Sequence, residues 1–508
     1  MWLVYDNIAV FMTALVACVF AWLYGGTIHQ ANVTVIPWLL LFLVDIMMCF
    51  PQRHRGESIY DARERVWYNM KRDPLVWVAL VFLVLMLVPF VNKGLCPICD
   101  YTAVTLKGVP AAPPIPLAPF CVDRQDHLAV LLWFAPALAS MVAVKHSLLK
   151  RGKRAVLAII VANGLGLSLI GLVQQVTGAE FPLWQTQYLR GKIPYFFSTF
   201  GYPNMGGDYF TMLFGISMAL WGWRVDRAAA EEAAGDADAV KTANHKVFWR
   251  KHFMLIPAAV FFLSAMATLS RAAIILVTVL AVLMSAHALA GAFKRMGKVQ
   301  RVRACAASLI FVVTVVLSAV YCMPESINGQ FKTTNRFEFM DRLSGRQQVN
   351  TKVAIEVLKD HFFFGCGGWG YKHFAMTKVP ERDRIMFQSP GTANVHNDYL
   401  QFAVEHGVVG LALLAVMVAL LLKPVFSLWR ALANSVKFRP PSKSLARPVS
   451  FFIFPAPAFF MILSACVPLV HAFADCPLRS PAVLTLFFVS LAAIDGFLPK
   501  PKHSHRHG

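Results

Sequence analysis

The chain has 508 residues, of which 57% are hydrophobic and only 15% charged, and its mean hydropathy is +0.56. A soluble domain carries nearer a quarter charged residues, so composition excludes an ordinary soluble protein. The net charge of +21 points away from nucleic acid once its distribution is seen: 31 of the 48 Lys and Arg fall in alternate loops between apolar runs, which is the positive-inside pattern of a polytopic membrane protein.

In chain order, the apolar runs predict twelve membrane spans, at about 7–24, 33–50, 75–92, 127–144, 155–175, 208–223, 252–269, 272–292, 304–322, 407–422, 449–470 and 481–497, several of them reaching the ~20 residues that cross a bilayer. The first run lacks a basic leader and a small-residue cleavage site, so no removable signal peptide is expected. The segments 51–74, 145–154, 224–251, 293–303, 423–448 and 498–508 are basic and are assigned to the cytoplasm, with both termini inside. The stretch "AAAEEAAGDADA" (228–239) reads as a polar linker of low complexity. The expected fold is an all-α polytopic membrane protein of about twelve transmembrane helices, with a large external loop between spans nine and ten. The organisation follows as 1–322 (spans one to nine), 323–406 (the external loop with the polar motif) and 407–508 (spans ten to twelve and the tail).

Three loops on the outer face carry the informative residues. Residues 93–126 hold "CPICDY", a proline-rich run and Cys121; residues 176–207 hold "RGKIPYFFSTFGYPNMGG"; the third is 323–406. Cys18, Cys49 and Cys466 fall in spans and read as buried thiols. Cys96, Cys99, Cys121, Cys322, Cys366 and Cys476 are external or nearly so, where an oxidising compartment permits a structural disulfide; with no second pair to complete a metal site, none is expected.

Span ten begins with unusual polarity, "VHNDYLQFAVEHGVVG" from Val395. Read as one helix, it aligns His396, Leu400, Gly407 and Gly410 near a single stripe, and the two glycines would let another helix approach closely, the expected neighbour being the hairpin that carries Arg271. A lone interfacial His caps or packs; its neighbours change the reading. Arg271, in "LSRAA", is pinned where two spans abut, either snorkelling or placed to grip a lipid diphosphate bidentately. Arg346, in "DRLSGR" beside Arg342, precedes a helix expected from Gln347 to about His361, whose N-terminus could share an anion with it; a solvated loop charge is the alternative. In "GCGGWGY", Trp369 and Tyr371 could stack on sugars or anchor at the interface. In "FGYPNMGGDYF", Asn204 either binds sugar hydroxyls or serves the turn that Pro203 and the glycines force.

Together these segments resemble the O-antigen ligase and polymerase-like superfamily of bacterial membrane glycosyltransferases. The ligase motif of that family is His, then Asn, Ser or Gln, nine residues, Gly, two residues, and Gly, Thr or Tyr. This chain has His396-Asn397, nine residues, then Gly407-Val-Val-Gly410. The segments around Arg271, Arg346 and Asn204 also look like family segments, in the family's order. The resemblance covers about 190–425, with Arg190 only loosely placed before the "GYPN" turn. Cys366 in the glycine-rich turn and the long 93–126 loop depart from the family pattern and bear on which acceptor is used.

The resemblance implies transfer of a glycan from an undecaprenyl-diphosphate carrier to an acceptor hydroxyl, a lipid A core sugar or another glycan. The site would lie on the periplasmic side of the inner membrane. It implies Arg271 and Arg346 as diphosphate-holding groups and His396 as base or acceptor-positioning group, with Asn397, Asn204, Arg190, Arg342, Trp369 and Tyr371 as substrate-binding candidates. No metal or other cofactor is implied, and no nucleic acid; the partners are donor, acceptor and bilayer. The chemistry is consistent: held charge makes diphosphate a good leaving group, and a histidine can take a hydroxyl proton near neutral pH. A polymerase joining lipid-linked repeat units shares the same residues. A transporter of lipid-linked sugars would want ionisable groups within the spans, where Asp45 is the one clear acidic candidate, and a scaffold would leave the His396, Arg271 and Arg346 pattern without a use.

Overall fold

A computed structural model describes residues 2–23, 25, 41, 48–94, 98–100, 105–107, 113–184, 196–233, 251–293, 349–379, 394–437 and 455–498. The expected second and ninth spans, Asp45, Arg190, Arg342 and Arg346 lie outside, or largely outside, these residues. Helices occupy the other expected spans: α1 (Trp2–Trp22), α3 (Pro74–Leu87), α4 (Arg124–His146), α5 (Lys150–Val176), α6 (Pro203–Ala233), α7 (Leu255–Ala267), α8 (Arg271–Phe293), α11 (Asp398–Lys437), α12 (Ala456–His471) and α13 (Pro481–Ala493). Among the described residues, α4, α5, α8 and α11 are long and apolar enough to cross a membrane. The pair α2 (Ile59–Arg72) and α3 makes a fifth if its 71° bend lies within one span. Besides helices and turns, the described residues hold a short two-stranded antiparallel ribbon, β1 (Ile98–Asp100) with β2 (Thr105–Lys107), within the segment 93–126.

Local signals explain the helix starts. Ser58 and Asp61 form a reciprocal capping box at α2. Asp73 caps α3 through the Leu75 amide, with Pro74 at the first helical position, and its carboxylate also holds Lys145 at 2.7 Å and His146 at 2.9 Å. Asp123 caps α4 by accepting from the amides of Gln125 and Asp126.

Helix α6 is the hub of the bundle: α7, α8 and α12 all pack on it, while α13 lies on α4, α1 on α5 and α11 on α3. Two glycines on α6 make this possible. A Cβ at Gly207 would stand 2.4 Å from Ala273 Cβ of α8, and one at Gly215 would stand 2.6 Å from Ser464 Cβ of α12. The small residues therefore bring the Arg271 helix and the helix that ends at His471 against the "GYPN" helix. The main core is the shared interior of these helices.

A second, smaller core lies under the segments expected on the outer face. The helix α9 (349–360) supplies Val353, Ala354 and Val357; α10 (Gly370–Lys378) supplies Tyr371, Ala375 and Met376; Phe120, Cys366, Val395 and Val404 complete it. The described part of α9 agrees with the helix expected after Arg346. His127 pins this unit to the bundle: one ring nitrogen meets the Met86 carbonyl at 2.7 Å and the other accepts from the Gly368 amide at 2.9 Å.

Candidate active site

The polar start of span ten is not one regular helix. His396 precedes it with φ of 56°, Asn397 caps it by accepting from the Leu400 amide at 3.0 Å, and α11 begins at Asp398. The helix is then broken at Gly407, whose φ of 67° and ψ of −179° suit only glycine. The stripe expected through His396, Gly407 and Gly410 is thereby corrected. So is the expected partner: what comes close to Gly407 is the backbone of Phe363 and Phe364, not the Arg271 hairpin. The break frees main-chain groups, and the segment 362–367 takes them up. The Cys366 and Gly367 amides donate to the Val404 and Glu405 carbonyls, and the Val408 and Val409 amides donate to the Phe362 and Phe363 carbonyls.

His396 sits beside a short turn between α12 and α13. Its Nδ1 donates to Asp475 Oδ1 at 3.0 Å. The other carboxylate oxygen, Oδ2, accepts from Tyr202 Oη at 2.7 Å and from Asn204 Nδ2. Asn204 in turn accepts from Ser270 Oγ at 2.6 Å, and Ser270 caps α8, whose first residue is Arg271. The segments of Asn204, Arg271 and His396, far apart in the chain, thus meet around Asp475. Burial alone would raise the Asp475 pKa; hydrogen bonds from His396, Asn204 and Tyr202 overcome this and hold the carboxyl well below its ordinary range. Asp475 is therefore an anchored carboxylate. The His396 side chain is 35% exposed against 4% for Asp475, so the ring reaches outward from its buried partner. With Nδ1–H committed to Asp475, the lone pair of the neutral ring is on Nε2.

Backbone strain concentrates here. The described non-glycine residues with positive φ are Leu183, Ser198, Leu269, Trp369 and His396. Ser198 precedes the "GYPN" turn, Leu269 precedes Ser270 and Arg271, and His396 carries the imidazole. Such positions persist where the surrounding structure over-determines them, and they cluster at functional sites.

Other expected residues have different employment. Tyr371 is fully buried in the outer core, its hydroxyl 3.4 Å from the Asn350 carbonyl, which corrects its assignment to sugar stacking. One face of Trp369 is covered by the Arg479 guanidinium at 4.0 Å, and its ring meets Trp133 edge-on. Arg479 is also bidentate to Glu405, at 3.0 and 3.1 Å. Asn397 Nδ2 reaches the Phe473 carbonyl at 3.3 Å, so this residue joins the helix cap to the Asp475 turn. A largely apolar cavity of about 430 Å³ runs from Asp398, Glu405 and Arg479 down α11 between α4 and α13.

The cysteines differ from expectation. Cys121 and Cys476 are buried free thiols, Cys366 is buried, and Cys49 is exposed on the chain's surface. Cys121 Sγ donates to the Pro89 carbonyl and Cys476 Sγ to Asp475 Oδ1, each enclosed with an oxygen instead of a second sulfur. Cys96, Cys322 and the Cys99 side chain lie outside the described residues. His396, Asp475 and Cys476 bring one possible metal-ligand atom each to within 4.8 Å of one another. Oδ1 of Asp475 already accepts from the other two, and burial pushes the Cys476 thiol well above its ordinary range, with Asp475 and Asp398 adding to it. The set is held by protons, which thiolate ligation would have to displace.

Tyr202, Asp475 and Arg479 were not singled out by the sequence reading. The segment "HAFADCPLR" held a signal: a His, an Asp and an Arg in a turn of a few residues between two apolar helices.

An anchored His–carboxylate pair is thus joined to a helix that starts with an arginine, in a chain whose apolar helices are those of a membrane protein. Residues 256–415, which include both Arg271 and His396, match the family described as O-antigen ligase. Asn204 and Asp475 lie beyond the matched residues. No curated protein matches the chain.

Proposed function

We propose that the protein is a membrane glycosyltransferase that moves a glycan from an undecaprenyl-diphosphate carrier to an acceptor hydroxyl at the periplasmic face of the inner membrane, as an O-antigen ligase does. The observation that carries this reading is the His396–Asp475 pair, joined through Asn204 and Ser270 to the start of the Arg271 helix. The histidine and the helix start that carries Arg271 are held by one hydrogen-bonded network, which suits a transferase with a charged leaving group.

In the reading, His396 Nε2 takes the acceptor hydroxyl proton while Asp475 orients the ring and stabilises the imidazolium. The acceptor oxygen forms its bond to the anomeric carbon as the bond from that carbon to the phosphate oxygen breaks, so a single displacement inverts the centre. The electron pair leaves with the diphosphate, whose charge Arg271 and the amides at the N-terminus of α8 hold. Arg346 is assigned the same anion, with Arg342 and Arg190 as weaker binding candidates, and Asn397 and Trp369 border the acceptor side. No step needs a metal. The proposed frame has about twelve spans with both termini cytoplasmic.

The test is a gel of surface and carrier-linked glycans from cells in which His396→Ala replaces the native protein. Long polymer stranded on the carrier, with none on the acceptor, supports the ligase. Single units without long chains would mean the polymerase that shares this site. An unchanged pattern at normal protein levels would overturn the catalytic role of His396 and favour a transporter.

A further inference from the structure

A second His–Asp pair lies one helical turn below the first. Asp208 follows Asn204 by four residues on α6, so the two share a helix face. His471 ends α12 and precedes Asp475 by the same four residues. His471 Nδ1 donates to Asp208 Oδ1 at 2.8 Å, with both side chains almost wholly enclosed. Helix α6 and the turn after α12 are therefore cross-linked by two rungs. The upper rung is Asn204 with Asp475, and it touches His396; the lower is Asp208 with His471, both buried.

The lower rung is tied directly to the upper one through main chain. The His471 carbonyl accepts from the Ala474 amide at 2.9 Å and from the Asp475 amide at 3.0 Å. The residue that grips Asp208 is thus also the one that folds the turn presenting the Asp475 carboxylate. The turn is held on its other side by the Asp398 amide, which donates to the Ala472 and Asp475 carbonyls at 2.9 and 3.2 Å.

A buried polar pair is a poor source of stability, because well-packed apolar residues of the same volume serve as well or better. Asp208 Oδ2 even lacks a hydrogen-bond partner among the described residues, a cost with no return in stability. What such a pair supplies is register: one acceptor meeting one donor at a single offset between two segments.

We infer that Asp208 and His471 are positioning residues for the transferase, fixing the register of the 471–475 turn on α6 so that Asp475 meets His396. The inference rests on the proposed transfer reaction. It places neither residue in contact with donor or acceptor, so the pair acts on turnover and not on donor binding.

The experiment measures glycan transfer in membranes carrying the native lipid-linked donor, with donor titrated, for variants confirmed at wild-type amount. His471→Leu and Asp208→Leu remove the rung. His471→Asn keeps a donor near Nδ1, and Asp208→Asn keeps the acceptor. The leucine variants are expected to lower the saturated rate on the order of tenfold or more, with half-saturating donor changed less than about twofold, and the asparagine variants to recover most of it. In an Asp475→Asn background, His471→Leu is expected to add little, since both act through one carboxylate.

Wild-type rates in the leucine variants would overturn the inference. So would asparagine variants no better than leucine, or full additivity with Asp475→Asn, either of which would reduce the pair to a folding role. His396→Ala is run beside them: if it transfers normally, the transfer reading itself fails, whatever the His471 variants do.

Discussion

Asp475 is the residue on which the site turns, because its two oxygens serve two different segments. Oδ2 is fixed by Tyr202 and Asn204, which leaves Oδ1 to the His396 ring. Asp475→Asn keeps the shape and removes the charge, and the general-base contribution it supports in the proposed mechanism is worth about 10²–10⁴ in rate. We expect a loss in that range in saturated transfer, with little change in half-saturating donor. The pH dependence of stability has a definite sign. The folded carboxyl titrates below its unfolded value of about 3.9, so its contribution is fully present above that value and is lost as pH falls through the lower folded value. Melting curves of wild type and Asp475→Asn should therefore converge as pH falls below about 3.9. His396, Arg271 and Asn204 could be picked from the sequence because each sits in a recognisable local pattern. Asp475 shows only as a charged residue in a short turn between apolar runs, since its pairing spans 79 residues to His396 and 271 to Asn204, and no local spacing encodes that.

At the scale of elements, α6 decides where the site forms. Its Gly207 accepts Ala273 of α8 at a separation no larger side chain allows. Gly207→Val is expected to push α8 outward and break the Asn204–Ser270 hydrogen bond. Transfer should fall well before the protein is lost from the membrane, and the ratio of activity to protein amount on a blot checks this. The helices themselves were legible, since runs such as those of α4, α5 and α8 are apolar over lengths that suit a bilayer. The break in α11 was not. A lone glycine in a helical pattern reads as a weak helix former or a packing notch, and only the approach of the 362–367 segment turns Gly407 into a kink. The buried place of Tyr371 was illegible for a related reason: an aromatic next to glycines looks the same whether it faces a sugar or a core of Val353, Val357 and Met376.

For the whole molecule, the basic loops carry the proposed orientation, with the site on the outer face. A reporter fused after residue 508 should be fluorescent as a cytoplasmic protein and inactive as a periplasmic phosphatase, and the reverse result would invert the proposed topology. The free thiols give a second check. Cys121 and Cys476 are buried free thiols, so a maleimide reagent should label them after denaturation but not before. The composition alone established a membrane protein. The convergence of loops 196–210, 394–406 and 471–480 at one end of the bundle needed the three-dimensional packing of α6 against α8 and α12.

The clasp between α11 and the 362–367 segment has a consequence for how the sequence can drift. Its four hydrogen bonds are all main chain to main chain, so they are blind to the side chains that ride on them. Phe362 and Phe363, both exposed, can be exchanged for other apolar residues without loosening it. The two glycines cannot: a Cβ at Gly407 would lie 2.1 Å from the Phe363 carbonyl oxygen, and one at Gly365 would lie 2.3 Å from the Glu405 carbonyl carbon. Gly407→Ala should cost about 3 kcal/mol or more, read as a lowered melting temperature in detergent. Variation over this stretch should therefore be permissive at its bulky positions and intolerant at its smallest ones, the inverse of what residue size alone would suggest.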